Sequence, residues 1–176
     1  MHVFAAEYPL VQPDYQGTSS AGGLKDLAEG RVDFAAADYM VSEQDEQQWA
    51  GGIVQLPMAA AAIVLVYNLP EIGQLALSRE AVTGIFGGQI TRWNDPIIAK
   101  TNPNAALPDR PITLVARSGA SGTSYNLTTH LSAHSPDLAK RLGATLTPPW
   151  EKVLQRAGGV IRGSGNDGVM SLVRSI

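Results

Sequence analysis

The chain predicts an α/β protein with a mostly parallel sheet, and three observations carry that prediction. Strand-like runs alternate with helix-like runs along its length, the pattern of βαβ units. The strand-like run Pro111-Ile112-Thr113-Leu114-Val115-Ala116 passes through a small, hydroxyl-rich loop, Arg117-Ser118-Gly119-Ala120-Ser121-Gly122-Thr123, straight into the helix-like run 124–131. About a hundred residues earlier, Tyr15-Gln16-Gly17-Thr18-Ser19-Ser20-Ala21-Gly22-Gly23 has the same grammar and opens into a helix with apolar positions at Leu24, Leu27 and Ala28.

Taken in order, residues 2–10 read as a short helix or a frayed end closed by Pro9 and Pro13, and 11–15 as a strand that Pro13 weakens. Residues 24–29 form a helix stopped at Gly30. Residues 32–37 read as a short buried strand, with Asp38 just beyond its C-terminal end, where ligands bind in open α/β sheets. Ser42 begins a polar helix over 43–49, halted by Gly51-Gly52. Runs 53–58 and 61–67 are strand-like. The twelve-residue apolar run 58–69 is too short to span a bilayer and fits a long buried strand, with Met58 in the core.

Ser78 caps a helix over 79–86 that Gly87-Gly88 stops. Pro96 sits in the first turn of a short helix, 95–100. Asn102-Pro103-Asn104 and Pro108-Asp109 mark turns. After strand 111–116 and helix 122–134, Pro136 starts a helix that ends near Gly143. Residues 150–156 are helical, and 169–175 make a final helix. Two facing lobes are an economical arrangement for the two hydroxyl loops. The run near 61–67 then crosses between them, and a ligand sits in the cleft.

The loops suit an oxyanion. The first N–H groups of a helix have no partner of their own, and the helix dipole makes that end positive. Small residues let an anion approach those donors. Ser121 and Thr123 add hydroxyls, and Arg117 adds a planar, permanently charged fork. The plainer alternative for Ser121 is an N-cap alone, and for Asp38 a helix or turn cap.

Composition narrows the classes. The 176 residues are 44% hydrophobic and 16% charged, as in an ordinary globular chain. The net charge of -3 and the lack of a basic stripe argue against nucleic acid. No cysteine is present, which excludes disulfides, thiolate metal sites and a cysteine nucleophile. Met1-His2-Val3-Phe4 does not begin a signal peptide.

Together, these segments resemble a known family, the phosphate-binding proteins of phosphate ABC transporters (PstS type), which are type II periplasmic binding proteins. The resemblance rests on Tyr15-Gln16-Gly17 with Ser19 to Gly23, and on Val32-Asp33-Phe34 through Asp38. It rests also on Thr83-Gly84-Ile85-Phe86-Gly87-Gly88 with Ile90-Thr91-Arg92-Trp93-Asn94-Asp95, on the loop from Arg117 to Thr123, and on Gly165-Asn166-Asp167-Gly168-Val169. It implies two α/β lobes with mostly parallel sheets and an interlobe ligand cleft. Residues 1–62 are then part of a first lobe, 63–157 a second lobe, and 158–176 a late second-lobe segment.

The resemblance implies binding of inorganic phosphate through Ser20, Asp38, Arg117, Ser121, Gly122 and Thr123. Ser19, Ser118, Gly119 and Asp167 are expected just behind these contacts. A buried Asp38 carboxylate would accept the proton that phosphate keeps near neutral pH, and would repel sulfate, which has none. Arsenate, nearly identical in shape and proton, fits the same description. The family further implies no enzyme activity, no cofactor and no metal. It implies a periplasmic or extracellular location, an ABC transporter permease as partner, and no membrane span in this chain.

Three departures accompany the resemblance. Gly119 stands where the family has an aspartate that braces the arginine, and Ala120 where it has glycine, so altered affinity or pH dependence is expected. The family's first strand and its Thr-Phe phosphate loop lie upstream of this sequence. The family also continues beyond Ser175-Ile176 and returns to the first lobe. These departures support an alternative, a sensory or protein-interaction domain of a larger protein with weak or lost phosphate binding.

Other signals are weaker. Gly163 to Gly168 matches G-x-G-x-x-G but ends too near Ile176 for a dinucleotide unit, and reads as a turn and helix start. Gly119 to Thr123 is not G-x-S-x-G, which speaks against a phosphate-ester hydrolase. His130 and His134, four apart, can pair on a metal but lack a carboxylate beside them and read as a solvated helix face. Asn126-Leu127-Thr128 is a chance glycosylation sequon inside a helix. Trp49, Trp93 and Trp150 read as core or rim.

Overall fold

The computed structural model describes residues 2–47, 49, 51–154 and 160–176. Among the described residues, the first third carries three helices, α1 (His2–Glu7), α2 (Ser20–Ala28) and α3 (Glu43–Glu46), joined by turns, bends and irregular chain. There follow α4 (Arg79–Gly87), α5 (Pro96–Thr101), β1 (Leu114–Arg117), α6 (Gly122–His134), α7 (Pro136–Arg141), α8 (Trp150–Leu154), β2 (Val160–Gly163) and α9 (Gly165–Ser175). Residue 48 of the expected polar helix and residues 155–156 of the expected helix 150–156 lie outside the described residues.

Strands β1 and β2 pair in parallel, Leu114 opposite Val160 and Arg117 opposite Gly163. Parallel neighbours need a long crossover, here supplied through α6, α7 and α8. Helix α9 packs against both strands, and α4 packs against α5, α6 and α8.

The core lies in the later part of the chain. Phe86, Leu131, Leu138, Trp150, Val153 and Leu154 form one buried cluster, with the Phe86 and Trp150 rings 5.4 Å apart. Ala81, Ile85, Ile90, Ile98 and Ile112 form a second, against which Trp93 packs. Trp150 is therefore core and Trp93 rim.

Caps explain the helix boundaries. Ser78 accepts from the Ala81 N–H at 3.1 Å and starts α4. Gly88 ends α4 at φ 83°, and its N–H donates to the Ile85 carbonyl. A methyl at Gly88 meets the Leu154 carbonyl oxygen at 2.8 Å as well as a left-handed backbone. Gly88→Ala is expected to destabilise the fold by about 1–3 kcal/mol, read as a lower urea midpoint at unchanged slope. Asp95 caps α5 through the Ile97 N–H, with Pro96 as its first helical residue.

Several expected strands do not form. Residues 11–15, 32–37, 53–58 and 61–67 take no regular structure and join no ladder among the described residues. Their apolar side chains face outward: Phe34, Val54, Leu56 and Val64 are exposed, and Met58 is 86% exposed rather than core. A strand-like pattern supplies propensity, whereas a strand also needs a neighbour to hydrogen-bond and a surface to cover it. The sheet among the described residues has two strands, fewer than the alternation of runs predicts. Strand β1 also starts later than expected. Pro111 instead bridges to Arg92, and the Ile112 N–H donates to the Thr91 carbonyl at 2.8 Å.

Candidate anion site

The site grows from two helix starts. Ser121 caps α6 in extended backbone, φ -144° and ψ 130°, and its Oγ accepts from the Ser124 N–H at 3.4 Å. The plain cap reading of Ser121 is thus realised. The residue is 1% exposed, and its N–H donates to the Leu146 carbonyl at 3.0 Å. The loop behind it is tied to α6 by Thr128, whose Oγ1 accepts from the Thr145 N–H at 3.0 Å. Gly122 and Thr123 are the first two residues of α6, where helix geometry leaves the backbone N–H groups without intrahelical partners.

Helix α2 is built the same way. Ser19 caps it by accepting from the Gly22 N–H at 3.1 Å. It begins at Ser20, four residues earlier than the apolar pattern predicts, because a cap rather than the first leucine sets the start. Ser20 is buried, and its Oγ accepts from the Asp38 N–H at 3.3 Å.

The two helix starts meet. A methyl built on Gly122 stands 2.5 Å from Ser20 Oγ, 2.9 Å from Asp38 Cβ and 3.2 Å from Asp38 Oδ2. Residues far apart in sequence therefore converge on a point where only glycine fits. Two further contacts hold Asp38 and Tyr39 against α6. Asn126 Nδ2 donates to the Asp38 carbonyl at 2.6 Å, and the Tyr39 and Tyr125 rings lie 4.9 Å apart. Burial pushes the Tyr39 phenol above its ordinary pKa, with Asp45 and Tyr125 adding to the shift.

Other expected contacts are placed differently. Asp38 is exposed and follows no strand, so it is not the buried carboxylate that the sequence suggests. Arg117, at the end of β1, donates from Nη1 to Asn166 Oδ1 at 2.8 Å, while its Nε is buried without a partner. Ser118 and Gly119 are exposed, and nothing lies within 4 Å of a methyl at Gly119. Asp167 is exposed inside the first turn of α9, whose cap position is Ser164, so Asp167 does not cap that helix.

Arg162 stiffens the end of β1 from behind. It donates to the Arg117 carbonyl from Nη1 at 3.0 Å and to Glu151 from Nε and Nη2 at 2.9 and 2.7 Å. The Arg162 hydrogen bond holds the Glu151 carboxyl below its ordinary pKa. A carboxylate lowered on folding contributes stability above its unfolded pKa and loses it as pH falls through the lowered value. Glu151→Gln is therefore expected to lower stability slightly at neutral pH and leave acid pH little changed, so that the fall in stability on acidification is shallower, as measured by urea unfolding across pH.

Sequence reasoning missed Asn126, Asn166 and the Tyr39–Tyr125 pair. Asn126 stood inside a sequon and in fact spends its amide on Asp38. The stretch 163–168, read as a turn and helix start, is the end of β2, the Ser164 cap and the first turn of α9. His130 and His134 are exposed with rings 4.6 Å apart, in keeping with a solvated helix face. Among the described residues, no three His, Cys, Asp or Glu side chains are placed to hold a metal, and no helix is long and apolar enough to cross a membrane.

The family model for a PBP superfamily domain matches residues 1–173, and the chain belongs to that superfamily. Within it, the chain is similar to proteins named phosphate-binding protein PstS. One from Methanocaldococcus jannaschii is 37% identical over 175 residues, covering 96% of this chain and 44% of that protein. One from Haemophilus influenzae is 38% identical over 165 residues, covering 93% of this chain and 47% of that protein. PstS 3 of Mycobacterium leprae is 30% identical over 181 residues, covering 99% and 46%. The chain thus spans a little under half the length of these relatives.

Proposed function

We propose that this chain binds inorganic phosphate between the starts of α2 and α6, as part of the solute-binding component of phosphate uptake. The observation that carries the reading is the meeting of Ser20, Asp38 and Gly122 at one point, with two helix N-termini and two hydroxyls around it. The names of the PstS relatives support phosphate as the anion. Ser20, Ser121, Gly122 and Thr123 donate to phosphate oxygens, Arg117 adds charge, and Asp38 accepts the phosphate proton. Ser19, Ser118, Gly119 and Asp167 touch no ligand in this scheme. Binding needs no cofactor and performs no reaction.

Residues 1–62 belong to one lobe in this reading, and 63–157 with the 158–176 segment to a second. The ligand lies in the cleft between them. The protein works in the periplasm or outside the cell and delivers phosphate to an ABC transporter permease.

Asp38→Asn tests the selective step. It is expected to narrow the gap between phosphate and sulfate by about tenfold, ~1.4 kcal/mol, in competition binding with labelled phosphate. An unchanged sulfate-to-phosphate ratio removes Asp38 from the mechanism.

A second reading, an interaction domain with weak phosphate binding, is favoured by one observation, the exposed apolar side chains along 53–67. It predicts a protein partner captured by that run and no saturable phosphate site.

A further inference from the structure

We propose that Asn166 is the positioning residue of Arg117, a neutral brace that aims the guanidinium without cancelling its charge. The inference deepens the phosphate reading, on which it rests for the identity of the anion.

The placement follows from the backbone. Arg117 is paired with Gly163 at the end of the two-stranded sheet, and α9 begins two residues after that glycine. A methyl at Gly163 meets the Val169 nitrogen at 2.6 Å and the Gly168 carbonyl carbon at 2.7 Å, so glycine is required for α9 to sit this close. That approach fixes the first turn of α9 over the end of β1. Asn166, its second residue, then brings Oδ1 to 2.8 Å from Arg117 Nη1.

The chemistry follows from a contrast between two neighbouring arginines. Arg162 forms a salt bridge with Glu151 at 2.7 Å. Arg117 has no carboxylate partner among the described residues; its one side-chain partner is the Asn166 amide. An amide oxygen accepts one N–H and carries no charge, so the guanidinium keeps its full positive charge. Its Nε is buried without a partner, so the Asn166 contact leaves that donor uncommitted within the protein. A carboxylate in the same place would compete with the anion for those donors. Asp167, the adjacent acidic residue, is exposed and makes no hydrogen bond to Arg117 among the described residues.

The test has two readouts on the wild type, Asn166→Ala and Asn166→Asp. The first, without any anion, is rotation of the Arg117 guanidinium about its Nε–Cζ bond, followed by side-chain nitrogen NMR. The second is phosphate affinity by calorimetry. In Asn166→Ala the rotation is expected to quicken and phosphate affinity to fall about tenfold, the scale of one hydrogen bond to a charged group. Asn166→Asp is expected to keep the rotation slow yet bind phosphate more weakly at neutral pH. That deficit shrinks as pH falls toward the carboxylate range, a pH dependence that a merely structural role does not produce. Unchanged rotation in Asn166→Ala overturns the proposal whatever the ligand. Quickened rotation in a protein whose wild type ignores phosphate upholds the brace and removes the phosphate reading instead.

Discussion

Arg117→Ala is expected to weaken phosphate binding by about 2–4 kcal/mol, roughly 30- to 1000-fold. The side chain brings a fixed charge and a buried Nε donor with no partner in the protein. Removing it takes away both, with little change to the fold, because the β1–β2 pairing and the Arg162 contact use the backbone of residue 117. Arg117→Lys restores the charge without the planar fork and is expected to recover part of the loss. Equilibrium dialysis with labelled phosphate measures both variants. Wild-type affinity in Arg117→Ala would place the anion away from the end of β1.

Gly122→Ala is expected to cost about a hundredfold in phosphate affinity, ~2.8 kcal/mol. Alanine suits the first turn of a helix, so propensity alone predicts no penalty. The penalty comes from across the gap, where the added methyl meets Ser20 Oγ at 2.5 Å and Asp38 Cβ at 2.9 Å. Either the start of α2 or the segment at Asp38 must move away, which opens the cradle. Circular dichroism separates this from loss of helix α6. A variant that binds as well as wild type would show that the two helix starts do not share one ligand.

What the sequence made legible follows the range of the interactions involved. Capping is local chemistry, settled within four residues, and so Ser78, Ser121 and the stop at Gly88 are readable directly. The strands at 32–37 and 53–67 depend on partners distant in sequence, and their pattern alone cannot supply those. Strand β2 escaped notice because Val160–Gly163 is four residues long, includes Arg162 and runs into a glycine-rich stretch that looks like a turn. The candidate site divides along the same line. The donors of the two hydroxyl loops were legible, each in its own loop. Their convergence was not, since nothing local links Ser20 to Gly122. The resemblance to phosphate-binding proteins implies a grouping of the two loops, and the structure brings Ser20, Asp38 and Gly122 of that grouping together. The exposure of Asp38 has the same origin as the missing strands: its expected burial depends on a strand at 32–37 that does not pair. Asn126 and Asn166 act through the ends of their side chains on remote backbone and guanidinium groups, which no spacing rule encodes.

The most direct test of the central claim, that two helix starts form one phosphate cradle, is a calorimetric titration of phosphate and then of sulfate at neutral pH and moderate salt. The account predicts saturable binding of one phosphate per chain and no response to sulfate. A folded protein that gives no heat with phosphate, or takes sulfate equally well, would contradict it.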